Sequence, residues 1–183
     1  MDAIAFKRAW EQGGDRLQMF PATAFSEVRV PEDARRFLEI AGLPPEAAPF
    51  LSFGPQTVNW IPTELWRANA GLGLAIGSDG HGNPIVLLED GQIVFLDHDD
   101  VFAQRYVNKS VATLAESLLR YRSLIEQACT INGPDAFLEG SVPSLLNNDF
   151  TSFLEMVDPL ALAPEAMWAI EISTPAGQSD PEA

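Results

Sequence analysis

Apolar positions recur in this chain with two different periods, and these periods predict helices and strands in different segments. The clearest helix is predicted over residues 110–129, where apolar side chains come three and four positions apart in one continuous stripe. The stripe residues are Val111, Leu114, Leu118, Tyr121, Ile125 and Ala128. Ser110 is suited to cap the N-terminus, because its hydroxyl can accept a backbone N–H of the first turn. We expect the stripe to pack on one face of a sheet.

The sheet is predicted in the middle of the chain, over residues 71–100. Residues 72–76 alternate between apolar and small side chains, which is the period of a half-buried strand. Two further apolar runs, 84–88 and 92–97, are separated by a turn that contains Asp90-Gly91. Asp-Gly between two apolar runs is a strong hairpin signal, because glycine readily adopts the positive φ that tight hairpin turns require.

The remaining segments predict helices on both sides of this central hairpin. Helices are expected over residues 2–12, 31–41, 134–139, 144–157 and 164–172, with a helical turn over 62–69. Short strands are expected over residues 26–30, 50–53 and 57–61 and within 101–107. Gly42 stands where a left-handed cap would end the second helix. The pattern as a whole predicts a central sheet hairpin with helices before and after it and a helical, acidic C-terminal region.

Length and composition favour one domain without a membrane segment. The chain has 183 residues, of which 46% are hydrophobic, as in typical soluble globular proteins. No apolar run approaches the ~20 residues of a membrane helix, and the first residues lack a signal-peptide pattern. A single cysteine, Cys129, excludes an internal disulfide and favours a reducing, cytoplasmic location. We expect one domain over residues 1–173 and a disordered polar tail over 174–183.

The distribution of charge limits the classes of partner. The formal net charge is −15, and all eleven lysines and arginines lie at or before Arg122. Residues 68–104 carry six acidic side chains and no lysine or arginine: Asp79, Glu89, Asp90, Asp97, Asp99 and Asp100. Such a chain repels nucleic acid and anionic membranes, and it attracts a basic partner. Solubility alone is the other explanation for this excess of negative charge.

Nucleotide-binding and nucleophilic motifs are missing from the sequence. Gly71, Gly73 and Gly77 do not have the spacing of the dinucleotide fingerprint, and a turn and a strand follow them rather than a helix. Neither a Walker-type Gly-Lys-Ser/Thr segment nor a Gly-x-Ser-x-Gly elbow is present. The sequence therefore predicts no catalytic residue and no cofactor.

Two places in the sequence contain residue types that bind metals. Residues 79–83 resemble the start of a calcium loop, but Pro84 replaces the required glycine and no helices flank the segment. The two histidines, His81 and His98, meet only if the turns at one end of the sheet converge, and no third ligand has a recognisable spacing. A solvated acidic loop is the better interpretation of residues 97–100, so no metal site is predicted.

Four segments in a fixed order resemble the SUKH superfamily, a group that includes many bacterial immunity proteins. They are FLEIAGLP (residues 37–44), FLSFG (50–54), AIGSDGHGNPIVLLEDGQIVFLDH (75–98) and YVNKSVATLAESLLRY (106–121). The similarity is to a branch with a Gly-Leu-Pro helix end and an Asn-x-Ser helix start, and it covers residues 31–172. Lys109 departs from the branch, where a small residue often stands between the Asn and the Ser.

The resemblance implies a fold and a role. The expected fold is α+β, with a mixed, mainly antiparallel sheet, a central hairpin and helices packed against the sheet. The expected role is that of a non-enzymatic antitoxin, which binds and blocks a cognate toxin domain that is frequently a nuclease or a nucleic-acid deaminase. We expect the toxin to be basic and to contact the acidic side chains and one aromatic anchor. These candidate partner-binding residues are Trp60, Asp79, Glu89, Asp90, Asp97, Asp99 and Asp100.

Two alternatives stay open at this point. Some superfamily members are thought to act as general interaction modules, so a regulatory scaffold of the same fold is the first alternative. A metal-dependent enzyme that uses His81, His98 and the acidic loop is the second.

Overall fold

The computed structural model describes residues 1–55 and 63–173 of the chain. Its helices are α1 (Ala3–Glu11), α2 (Glu32–Ile40), α3 (Thr63–Ala70), α4 (Val111–Asn132), α5 (Ser144–Val157) and α6 (Met167–Ser173). Its strands are β1 (Glu46–Ala47), β2 (Leu51–Phe53), β3 (Leu74–Ser78), β4 (Pro84–Leu87), β5 (Ile93–Asp97) and β6 (Ala103–Asn108). Three short 3₁₀ helices lie at Ala22–Phe25, His98–Asp100 and Pro159–Leu162. The α+β class expected from the sequence is confirmed.

The six strands form one sheet in the order β1-β2-β3-β4-β5-β6. Every described pairing is antiparallel, so the parallel component of the expected mixed sheet is not found among these strands. Neighbouring strands therefore alternate in direction. The β1–β2, β3–β4 and β5–β6 turns lie at one end of the sheet, and the β4–β5 turn lies at the other.

Both faces of the sheet are buried, which explains the nearly continuous apolar runs of β4 and β5. Ile85 and Leu87 point to one face, while Val86, between them, points to the other. The larger core contains residues of α1, α2, α4, α5 and α6, including the buried Trp168. On the opposite face, α3 contributes Trp66, which packs with Val86 and the neighbouring β5 side chains.

The helix boundaries follow from local capping. Ser110 begins α4 with a capping box, in which its hydroxyl accepts the Thr113 N–H and Thr113 Oγ1 accepts the Ser110 N–H. Gly42 ends α2 with a φ of +71°. A Cβ at this position would lie 1.9 Å from the backbone oxygen of Gln18, so only glycine fits. The sequence predictions for both caps are confirmed.

Two predicted elements are wrong. Residues 26–30 do not form a strand. One backbone hydrogen bond is described between this segment and the sheet region, from Arg29 N to Leu72 O at 3.0 Å. Residues 134–139 form a series of turns rather than a helix. This segment is enclosed by Gly133 and Gly140, which both have positive φ, so too few residues remain for a stable helix. The predicted strand 57–61 and tail 174–183 lie outside the described residues.

A buried carboxylate joins the end of the sheet to the C-terminal helices. Asp158 is 1% exposed and accepts hydrogen bonds from Tyr106 OH at 2.7 Å, Asn108 Nδ2 at 3.1 Å and Lys109 N at 2.8 Å. Asn108 Oδ1 in turn accepts Trp168 Nε1 at 3.0 Å. Burial and the hydrogen bond to Asp158 raise the pKa of the Tyr106 hydroxyl, so it stays a donor at neutral pH.

A second polar contact links α4 to α6. Tyr121 OH donates to Glu171 Oε1 at 2.5 Å. Burial raises the pKa of the Glu171 carboxyl, and the hydrogen bond from Tyr121 offsets part of that increase. The charged form of Glu171 is thus disfavoured in the folded chain.

We expect Asp158→Ala to lower the free energy of unfolding by about 3 kcal/mol, because three donors lose their acceptor in a buried site. Urea unfolding of the variant measures the loss. Asp99→Ala is the matched control, since the Asp99 side chain is 88% exposed, and it should change stability by less than ~0.5 kcal/mol. Equal effects of the two substitutions would contradict a structural role for Asp158.

Glu171 gives a prediction with a defined sign. Because its folded pKa is raised, the contribution of Glu171 to stability is complete below its unfolded pKa of about 4.3. That contribution is lost as the pH rises through the folded pKa. Glu171→Gln keeps the Oε1 acceptor and removes the titration. The free energy of unfolding of the unmodified chain, minus that of the variant, should therefore fall between mildly acidic and neutral pH. A difference that stays flat or rises in urea titrations would disprove this.

Candidate protein-binding surface

Four of the six predicted acidic side chains lie at one end of the sheet. Asp79 belongs to the β3–β4 turn, Asp97 ends β5, and Asp99 and Asp100 belong to the β5–β6 turn that follows. Glu165, from the loop before α6, joins them through a salt bridge to Arg105. We call these five carboxylates the acidic end.

The carboxylate of Asp79 organises its own turn. Its Oδ1 accepts the backbone N–H of His81 at 2.9 Å and of Asn83 at 2.8 Å. Its Oδ2 accepts the side-chain amide of Asn83 at 2.9 Å. Asp79 therefore holds residues 79–83 in a closed loop, and most of its hydrogen-bonding capacity is used within the turn.

Asn83 connects this turn to the next one. It is 7% exposed, and its Oδ1 accepts the backbone N–H of His98 at 2.9 Å. The same oxygen lies 2.5 Å from His98 Nδ1. The two turns thus form one bonded surface, which fixes the position of the acidic side chains on it.

Arg105 is surrounded by three carboxylates of the acidic end. Its Nη2 lies 2.9 Å from Asp100 Oδ2 and 3.6 Å from Asp97 Oδ2, and its Nη1 pairs with Glu165. Asp97 also accepts the backbone N–H of Asp99 at 3.1 Å. One arginine cannot neutralise five carboxylates, so the acidic end carries excess negative charge.

Exposure separates the structural carboxylates from the available ones. The side chains of Asp99, Glu165 and Asp100 are 88%, 69% and 60% exposed. Asp97 is only 26% exposed, and Asp79 is half-buried. The exposed three can exchange water for a cationic partner, whereas Asp79 and Asp97 stabilise the turns.

Glu89 and Asp90 lie at the opposite end of the sheet, in the β4–β5 turn. Asp90 accepts Gln92 N at 2.9 Å and Gln92 Nε2 at 2.8 Å, and Glu89 Oε1 lies 3.4 Å from Leu72 N. The strand between the two ends is about 13 Å long, at ~3.3 Å per residue. The structure therefore divides the six predicted residues into two separate groups.

Exposed apolar side chains accompany the carboxylates of the acidic end. Val101, in the β5–β6 turn, is 83% exposed, and Phe50, in the β1–β2 turn, is 65% exposed. Both have positive φ, 52° for Val101 and 58° for Phe50, which is unfavourable for a branched or bulky residue. The sequence prediction missed both residues, because neither residue type signals exposure or left-handed backbone.

The predicted aromatic anchor, Trp60, lies outside the described residues. Sequence reasoning also missed Arg105 and Glu165. Strand pairing brings the arginine beside the aspartates, and the position of the loop before α6 brings in Glu165. The predicted strand within residues 101–107 contained Arg105. The direction of the Arg105 side chain, however, depends on the register of this strand against β5.

The histidines lie in neighbouring turns at the acidic end. His98 Nε2 is 3.4 Å from Asp99 Oδ1, and His81 is exposed in the β3–β4 turn. Within residues 1–55 and 63–173, no three histidine, cysteine or acidic side chains are grouped so that they could hold a metal ion. No helix in the same ranges is long and apolar enough to cross a bilayer.

The exposed groups of this surface are carboxylates and the apolar side chains of Val101 and Phe50. The SUKH-4 immunity protein family matches the chain over residues 8–173. This chain therefore belongs to the SUKH-4 immunity protein family. Neither a curated protein nor a solved structure matches it significantly. Family membership supports a role in immunity to a toxin and the binding of a cognate toxin protein.

The stability of single variants can test which carboxylates hold the turns and which are only exposed. Asp79→Ala should cost about 2 kcal/mol, because it removes the acceptor of three hydrogen bonds that close the turn. Asp100→Ala should cost less than ~1 kcal/mol, since its exposed pair with Arg105 is screened by solvent. Thermal unfolding of the two variants compares these costs. A larger loss for Asp100→Ala would show that the exposed carboxylate has the structural role.

Proposed function

We propose that this chain binds and neutralises a cognate toxin domain through the acidic end of its sheet. The observation that carries the proposal is the group of exposed carboxylates at this end, in which Asp100 and Glu165 pair with Arg105 and Asp99 lies beside His98. Their turns are held by hydrogen bonds, so little conformational freedom is lost on binding. The role is non-enzymatic: the protein acts by occupying the toxin.

The charge of the surface indicates the chemistry of the partner. A toxin that acts on nucleic acid presents a basic cleft for phosphates. A fixed set of carboxylates can fill such a cleft and accelerate association by electrostatic attraction. We therefore propose a nuclease or a nucleic-acid deaminase as the target, bound in the cytoplasm of the producing cell.

Glu89 and Asp90 contribute less to toxin binding than the carboxylates of the acidic end. These two residues lie at the other end of the sheet and contribute only to the long-range field. Salt screens such a field over about 8–10 Å, so a partner seated on the acidic end feels them weakly.

Growth rescue tests the function directly. The toxin candidate is the C-terminal domain of the protein encoded by the neighbouring upstream reading frame, expressed from an inducible promoter. Co-expression of this chain should restore growth, and the two proteins should copurify. Toxicity that persists despite soluble expression of this chain would favour the regulatory scaffold instead.

Charge reversal locates the binding surface. The double variant Asp99→Lys, Asp100→Lys should weaken binding to that toxin domain at least tenfold and flatten its salt dependence, because repulsion replaces attraction. Glu89→Lys, Asp90→Lys is the matched control, since it changes the net charge equally at the opposite end. Affinities are measured by calorimetry at several salt concentrations. Equal losses in both double variants would mean that only net charge matters.

A further inference from the structure

An apolar groove runs along the β1 edge of the sheet. Its volume is about 590 Å³, and its walls come from the β1–β2 hairpin and from the turn after α4. The lining residues include Glu46, Ala47, Phe50, Leu51, Phe137 and Leu138. The volume is in the range of pockets that accept a small ligand or a large side chain.

The apolar walls of the groove are exposed without an evident structural need. Phe50 is 65% exposed and Leu138 is 59% exposed, although the Phe50 and Phe137 rings lie only 6.2 Å apart. Phe50 has a φ of 58°, a conformation in which glycine would be less strained. A bulky aromatic side chain is thus held in an unfavourable backbone conformation and presented to solvent.

The charged residue that lines the groove is acidic, and so are the charged residues next to its second wall in the sequence. Glu46 lines the groove, and Asp135 and Glu139 flank its Phe137–Leu138 wall along the chain. Both walls come from parts of the sequence without lysine or arginine, namely residues 37–66 and the chain after Arg122. The groove therefore combines apolar walls with acidic residues, which a cationic segment complements.

The groove is continuous with the acidic end. A Cβ placed on Gly80 would lie 2.8 Å from Phe50 Cβ, so the tip of the β1–β2 hairpin contacts the β3–β4 turn that contains Asp79. A partner seated on the exposed carboxylates can reach the groove along the same edge of the molecule. Strand β2 to strand β6 spans about 19 Å, at ~4.8 Å per strand, which is within one ordinary protein interface.

We propose that this groove receives a basic segment of the toxin domain, whose apolar or aromatic side chain inserts between Phe50 and Leu138. Lysine or arginine side chains on either side of the inserted residue pair with Glu46, Asp135 and Glu139. This inference rests on the proposed function, and it adds an apolar anchor site to the electrostatic surface. A second copy of this chain is a poorer occupant, because each copy has a net charge of −15.

Two substitutions test the groove. Phe50→Gly removes the ring and suits the positive φ, so the variant should fold with unchanged or raised thermal stability. Its affinity for the upstream-encoded toxin domain should nevertheless fall at least tenfold, because a central aromatic anchor is lost. Leu138→Ala should weaken binding in the same direction from the other wall.

Leu160→Ala is the matched control, because Leu160 is 60% exposed and lies outside the groove. It should bind the toxin domain as the unmodified chain does. Undiminished affinity of both groove variants would overturn the proposal while leaving toxin neutralisation intact. Concentration-dependent self-association in sedimentation that Phe50→Gly abolishes would also overturn it, since the occupant would then be a second copy.

A short peptide tests binding in the groove independently of toxin neutralisation. Acetyl-Lys-Trp-Lys-amide should shift the backbone resonances of Ala47 and Leu138, and acetyl-Glu-Trp-Glu-amide should not. Phe50→Gly should abolish the shifts. If the toxin domain is not neutralised but the peptide binds as expected, the proposed function fails and the groove chemistry stands. Equal binding of the two peptides, or binding of neither, would overturn the proposed binding of a basic segment in the groove.

Discussion

The rest of the structure depends on the buried carboxylate of Asp158. It accepts three hydrogen bonds from the β6–α4 junction, and Asn108 extends the network to Trp168 on α6. A carboxylate with 1% exposure is costly to bury unless donors satisfy it, so this arrangement permits few alternatives. It fixes the C-terminal helices against the last strand, and it thereby places Glu165, in the loop before α6, beside Arg105. The charge of the acidic end is thus set partly by a contact in the core.

Local patterns predicted those parts of the fold that local physics determines. The stripe of α4, its Ser110 cap, the Gly42 helix end and the hairpin at Asp90-Gly91 each depend on residues within a few positions of one another. The predictions of a strand at residues 26–30 and a helix at residues 134–139 were wrong. The apolar side chains of these segments pack against distant elements and do not belong to regular structure. The Asp158 network was invisible in the sequence, because its partners lie 49 to 52 positions away along the chain.

The sequence predicted which turns are acidic, but it did not predict which of these turns lie at the same end of the sheet. Counting carboxylates between Arg67 and Arg105 identifies the charged turns, but strand direction decides which turns share an end. The antiparallel order puts Asp79 with Asp97, Asp99 and Asp100, and it moves Glu89 and Asp90 away. Charge counts also cannot distinguish a carboxylate that closes a turn, such as Asp79, from one that faces water, such as Asp99. That distinction requires the hydrogen-bond partners.

Stability and binding make different demands on the same end of the sheet. Asp79, Asn83 and Asp97 satisfy backbone groups and hold the turns, whereas Asp99, Asp100 and Val101 remain exposed. Neither Phe50 nor Val101 gains burial that would offset its left-handed backbone. Residues that are held in an unfavourable backbone conformation and stay exposed are suited to contacts with a partner. A rigid turn network that presents strained apolar tips among carboxylates is suited to a partner with basic and apolar surface.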